Sequence, residues 1–136
     1  MTQPTPNPEQ PSPPRRRRTW ADKFGDAFRG FKFGIRGQSS FAVHFFAAAA
    51  VIITAAVMRC SPEEWALLVF AIGLVLTTEL VNSALETIFR GLDPETRERS
   101  WRGLDIAAAA VLMASVTAVA IGVIIFGQRI WALTRE

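Results

Sequence analysis

Glu79, Asn82 and Glu86 stand three and four residues apart in an otherwise apolar run, with Ser83 beside them. On a helix this spacing puts the two carboxylates and the amide on one face. Counted from Trp65, Glu79 lies about 21 Å along such a helix, and Glu86 about 10 Å further on. Charge at that depth in a lipid bilayer costs about 2–4 kcal/mol and marks a functional site by default. The row runs from inside the apolar layer to its aqueous edge, where a lipid hydroxyl and a water-soluble cosubstrate could meet. Packing offers a plainer explanation, since polar side chains also hold neighbouring helices together in membranes. One Asn or Ser would be explained that way; two Glu and an Asn in register favour a site.

Other candidates are few. Asp105, at the start of the last apolar run, either joins this cluster or caps a helix before Ile106. His44, one turn into the first apolar run, faces either the site or a neighbouring helix. With one His and one Cys in the chain, a zinc site is not expected. No Gly-Lys-Ser/Thr loop and no dinucleotide fingerprint occurs, so a nucleotide would be bound by other means.

The elements that must position these residues follow from how charge is distributed. The 136-residue chain is long enough for one modest domain, half hydrophobic and one-fifth charged. Residues 41–58, 65–78 and 106–126 contain no Asp, Glu, Lys or Arg. A simple soluble domain could not hide three such stretches, and Cys60, alone, excludes an internal disulfide framework. Backbone groups in lipid must be paired internally, and the stretches lack the alternation of barrel strands. The expected fold is therefore an all-α membrane protein with three transmembrane helices, near 41–58, 65–89 and 106–126. Ser61, Pro62 and Glu64 form a helix-start signature before the second.

Ahead of the spans, Trp20, Phe24, Phe28, Phe31 and Ile35 recur at helical spacing among charged residues. They predict an N-terminal amphipathic interfacial helix over about 20–36. Gly25, Gly30 and Gly34 weaken its intrinsic helicity, so lipid or protein contact must support it. Residues 1–18 form a Pro- and Arg-rich segment expected to be disordered, with the domain proper over 19–136. Arg15, Arg16, Arg17 and Arg18 either touch anionic headgroups or stay solvated; nucleic acid is not an expected partner. Twelve Lys or Arg lie before the first span and between the second and third, against three on the other side. That asymmetry places the N-terminus in the cytoplasm and the C-terminus outside. All four tryptophans, Trp20, Trp65, Trp101 and Trp131, flank apolar segments, as interface anchors do.

The octapeptide ELVNSALE at 79–86 resembles the E-x-x-N-[ST]-A-[IL]-E signature of the small prokaryotic diacylglycerol kinase and undecaprenol kinase family. The likeness extends over about a hundred residues, through FKFGIRG at 31–37, FAVH at 41–44 and DIAAAAVL at 105–112. It implies a homotrimer of three-span subunits in the bacterial inner membrane. The activity implied is phosphorylation of a lipid alcohol by ATP with Mg²⁺. Carried over by position, Glu79 is the general base and Asn82 orients substrate or phosphate. Glu86 binds Mg²⁺ at the nucleotide, Asp105 belongs to the nucleotide site, and Ser83 and His44 contact the lipid substrate.

Three positions depart from that pattern. Gln38 stands where the family has a metal-sharing Glu, Arg90 where it usually has Asp, and Leu104 where a Lys usually precedes Asp105. A Gln oxygen can ligate but brings no charge. Arg90 either replaces the missing Lys as a phosphate clamp, or the chain is a non-catalytic relative acting by lipid binding or assembly. A small channel or transporter built on the acidic row is disfavoured, because the outer halves of the spans carry no counterpart.

Overall fold

The computed structural model of the chain describes residues 18–36 and 39–135. Four helices follow one another: α1 (Trp20–Ile35), α2 (Ser39–Val57), α3 (Pro62–Arg90) and α4 (Pro94–Leu133). The last three are long and apolar enough to cross a membrane. The described part is the expected all-α arrangement of a short N-terminal helix and three spans. Gln38, Arg15, Arg16 and Arg17 lie outside the described residues.

α1, α3 and α4 begin where local chemistry satisfies their free N–H groups. Thr19 caps α1 in a reciprocal box with Asp22, whose side chain accepts the Thr19 backbone N–H at 2.9 Å. Ser61 and Glu64 make the same box at α3, with Pro62 in the first turn as expected. Asp93 caps α4 by accepting the Thr96 N–H at 3.0 Å. The α2–α3 turn closes as a Schellman motif. The Cys60 N–H donates to the Ala55 carbonyl and the Arg59 N–H to that of Ala56, with Arg59 left-handed at φ 51°.

The segment between the second and third spans differs from expectation. It reads as a charged loop from Arg90 to Arg102, with Asp105 a possible cap. Instead α4 starts at Pro94 and runs unbroken for 40 residues, so Asp105 lies inside a helix and caps nothing. Charge ends the apolar run without ending the helix. Glu95 and Arg99 pair one turn apart at 2.7 Å. Arg97 donates from Nη2 to the carbonyls of Arg90 and Leu92, satisfying the end of α3.

α3 and α4 pack along much of their length, and α2 and α1 both rest on α3. α3 is thus the element every other helix touches. At the Cys60 end, Ala55, Leu68 and Ile125 form a buried cluster with Trp65 and Phe126 against it. Trp65 is therefore partly a core residue, whereas Trp20, Trp101 and Trp131 are exposed beneath Lys23, Arg102 and Arg135 respectively. Arg129 of α4 reaches Glu64 of α3 with Nε 3.0 Å from Oε2, joining the two helices beside this cluster. α1 buries none of its residues, and Trp20, Phe24, Phe28 and Phe33 all stand exposed. It comes close to α3 at Gly34, where an added Cβ would collide with the Leu80 side chain. Asp26 of this helix pairs with Arg29 and with Arg18, which precedes the helix.

Candidate active site

The acidic row on α3 divides into two groups. Seven residues of helix separate Glu79 from Glu86 by about 10 Å along the axis, and each carboxylate has its own partners. Glu79 is buried, with 3% of its surface exposed. A carboxylate in that position requires donors, because burial without them is costly. One comes from α2, where the Ser40 hydroxyl donates to Oε1; His44 Nε2 lies near Oε2 at 3.9 Å, beyond hydrogen-bond reach. Ser40 and His44 are four residues apart and so share the face of α2 that meets α3. His44 thus faces Glu79 on α3.

Glu86 sits two turns further on, at the Arg90 end of α3. Asn82 Nδ2 donates to its Oε1 at 3.0 Å, and Arg90 Nη2 to its Oε2 at 2.9 Å. The Asn82 amide is therefore turned towards Glu86 and away from Glu79. Between the groups lies Ser83, 2% exposed, whose Oγ is buried with no hydrogen-bond partner among the described residues. A buried hydroxyl without a partner needs explanation, and here it stands one turn from Glu79. Asp105 is exposed on α4, and among the described residues no ion pair or hydrogen bond links it to Glu86 or Arg90. Leu104 is half-buried beside it and offers no charge.

A cavity of about 340 Å³ opens between α2, α3 and α4, with His44 among its lining residues. Its walls are small or apolar side chains, including Ala47, Ala48, Val75, Leu76 and Ala118. Val75 and Leu76 precede Glu79 by about one turn of α3, and His44 links the cavity wall to the neighbourhood of the carboxylate. The site therefore has a buried carboxylate facing a cavity-lining imidazole, and a charged Glu86–Arg90 pair at the end of the same helix.

Ser40 escapes a reading of the sequence alone. Its spacing to His44 was available, but a Ser at a helix start reads first as a cap. Its bond to Glu79 exists through the packing of α2 on α3, 39 residues apart in sequence.

Residues 25–126 match the family described as prokaryotic diacylglycerol kinase. The chain belongs to that family. Its members are membrane lipid kinases, and this chain is accordingly a multi-pass membrane protein of prokaryotic type. Among its relatives is a diacylglycerol kinase of Synechocystis, 32% identical over 100 residues, 73% of this chain and 57% of that protein. An undecaprenol kinase of Bacillus subtilis is 31% identical over 103 residues, 76% of this chain and 84% of the relative. A diacylglycerol kinase of Escherichia coli is 27% identical over 95 residues, 70% and 78% of the two chains. The match thus spans little more than half of the Synechocystis protein. No solved structure matches the chain. The matched region contains α2, α3 and the cavity-lining part of α4, and so every described residue of the two groups on α3.

Proposed function

We propose that the protein transfers the γ-phosphoryl group of ATP to the hydroxyl of a membrane lipid alcohol, diacylglycerol or undecaprenol. The observation that carries the reading is the buried Glu79 carboxylate, bonded by the Ser40 hydroxyl and faced by His44, which lines an apolar cavity. The reaction lies at the cytoplasmic face of the inner membrane, where the cationic side of the chain and Glu86 meet ATP. The C-terminus lies outside, and three copies form the working trimer.

In this mechanism the lipid places its hydroxyl against Glu79 and its hydrocarbon in the bilayer. Glu79 accepts the hydroxyl proton as the lipid oxygen bonds to the γ-phosphorus. The bond from that phosphorus to the bridging oxygen of ADP breaks, and ADP leaves with the electron pair. Phosphoryl transfer depends mainly on positioning and charge compensation, which assigns the remaining roles. The Ser83 hydroxyl, buried and unengaged among the described residues, is free to bind the lipid headgroup. Asn82 holds Glu86 and, through it, orients the nucleotide end. Arg90 supplies a fixed positive charge to the phosphates, in place of the Lys absent at Leu104.

Among the described residues no three His, Cys, Asp or Glu side chains come together as a metal cage. Mg²⁺ usually takes one or two carboxylates and draws its other ligands from phosphate oxygens and water. Glu86 fits that donor set as the carboxylate of an ATP-borne ion, with Gln38 a neutral second candidate. Bound there, the ion would neutralise charge on the phosphates. Asp105, exposed on α4, is assigned to the nucleotide's surroundings.

A second reading is favoured by one observation. The Arg90–Glu86 pair satisfies the carboxylate internally, as would suit a relative that has lost nucleotide binding and acts by lipid binding or assembly. The two readings separate when purified protein is given ATP, Mg²⁺ and diacylglycerol or undecaprenol in turn. Phosphorylated product from either lipid supports the kinase; ATP binding and product both absent from the folded protein overturn it.

A further inference from the structure

The two oxygens of the Glu79 carboxylate meet different neighbours. Oε1 accepts the Ser40 hydroxyl, whereas Oε2 faces His44 Nε2 at 3.9 Å, beyond direct hydrogen-bond reach. Neither nearby polar residue on α3 bonds to Glu79, since Asn82 turns to Glu86 and the Ser83 hydroxyl has no partner among the described residues. The second helix thus holds one oxygen of the carboxylate and leaves the other open beside a cavity-lining imidazole.

We infer that Ser40 is a positioning residue that fixes Glu79 by Oε1 and so makes Oε2 the oxygen that takes the lipid hydroxyl proton. The inference rests on the kinase reading of the site and adds a division of labour between the two oxygens. A carboxylate is free to turn about its terminal bond, and a turned carboxylate presents either oxygen at a range of angles. Productive proton transfer needs one oxygen within hydrogen-bond reach of the substrate hydroxyl. The Ser40 bond removes that freedom through a donor on another helix. It also makes the first turn of α2 part of the site: a shift of α2 on α3 breaks the bond before it disturbs the rest of the row. Ser40 touches neither lipid nor nucleotide in this arrangement, so its loss affects the chemical step rather than substrate affinity.

The experiment uses the full chain in lipid nanodiscs. Ser40→Ala lowers kcat about 10- to 100-fold, the range set by losing one hydrogen bond to a charged group. The KM values for ATP and lipid stay within about twofold, as expected for an effect on the chemical step. Ser40→Thr, which keeps the hydroxyl, recovers most of the rate. Infrared difference spectra between the parent protein and Glu79→Gln identify the Glu79 carboxylate bands without reference to activity. Those bands shift in Ser40→Ala and return in Ser40→Thr. Unchanged bands in Ser40→Ala, or a kcat equal to the parent's, overturn the assignment of Ser40. A parent protein that forms no phosphorylated lipid overturns the kinase reading instead, while the infrared bands still decide whether Ser40 holds Glu79.

Discussion

Arg90 stands one turn beyond Glu86 and neutralises it at the end of α3 nearest the cationic side of the chain. Its guanidinium keeps donors beyond the one given to Glu86, and a planar fork suits phosphate oxygens. If it is the phosphate clamp, Arg90→Ala raises the KM for ATP about tenfold or more, the weight of one charged hydrogen bond, and leaves the KM for lipid unchanged. Steady-state kinetics with each substrate varied in turn reads this directly; an unaltered KM for ATP removes the clamp. The acidic row itself was legible because helical spacing and a bilayer's penalty on charge are both properties of sequence. What was not legible is which carboxylate each polar neighbour serves. Asn82 could bond Glu79 or Glu86 by spacing, and the side-chain geometry selects Glu86. Ser40 was hidden for a different reason, since its partner lies on another helix.

Helix boundaries at the capped ends were readable where a cap signature borders an apolar run, as at Ser61. They are not readable where a charged segment continues a helix: α4 begins at Pro94, twelve residues before its apolar part. Turn chemistry yields two predictions at this scale. Arg59 adopts a left-handed conformation at the end of α2, where a Cβ costs about 1–2 kcal/mol relative to Gly. Arg59→Gly therefore stabilises the protein, by about 1 kcal/mol once the added freedom of the unfolded chain is included. Reversible unfolding in mixed detergent micelles measures it, and a loss of stability contradicts the Schellman assignment.

The second concerns pH. The Asp93 carboxyl is held below its usual range by hydrogen bonds from the Thr96 hydroxyl and backbone N–H. That of Asp22 is lowered by the Thr19 backbone N–H and then its hydroxyl. Each cap favours the carboxylate in the folded state. Its contribution is thus fully present above the unfolded value of about 4 and is lost as pH falls through the lower folded value. Amide exchange in the first turns of α1 and α4, corrected for intrinsic rate, should accelerate as pH drops below about 4. Flat protection between pH 6 and pH 2.5 would contradict the caps.

Across the whole molecule, the bundle buries little of its apolar surface in itself. Phe46, Ile53, Phe70, Met113, Val119 and Val123 all stand exposed on the spanning helices, as lipid or neighbouring subunits would require. α3 is the exception, because it is touched by every other helix and carries the two carboxylates. Three-span architecture was legible from uncharged run lengths, whereas the central place of α3 was not, since packing partners leave no mark on hydropathy. The fold thus holds one buried carboxylate where α2 packs on α3 and leaves much of the apolar surface around it exposed. The most direct test is transfer of labelled γ-phosphate from ATP to a lipid alcohol by the full chain and by Glu79→Gln. Loss of a general base predicts a rate about 10²–10⁴-fold lower in the variant, with helical content and unfolding midpoint unchanged. A Glu79→Gln variant that phosphorylates lipid as fast as the parent would contradict the account.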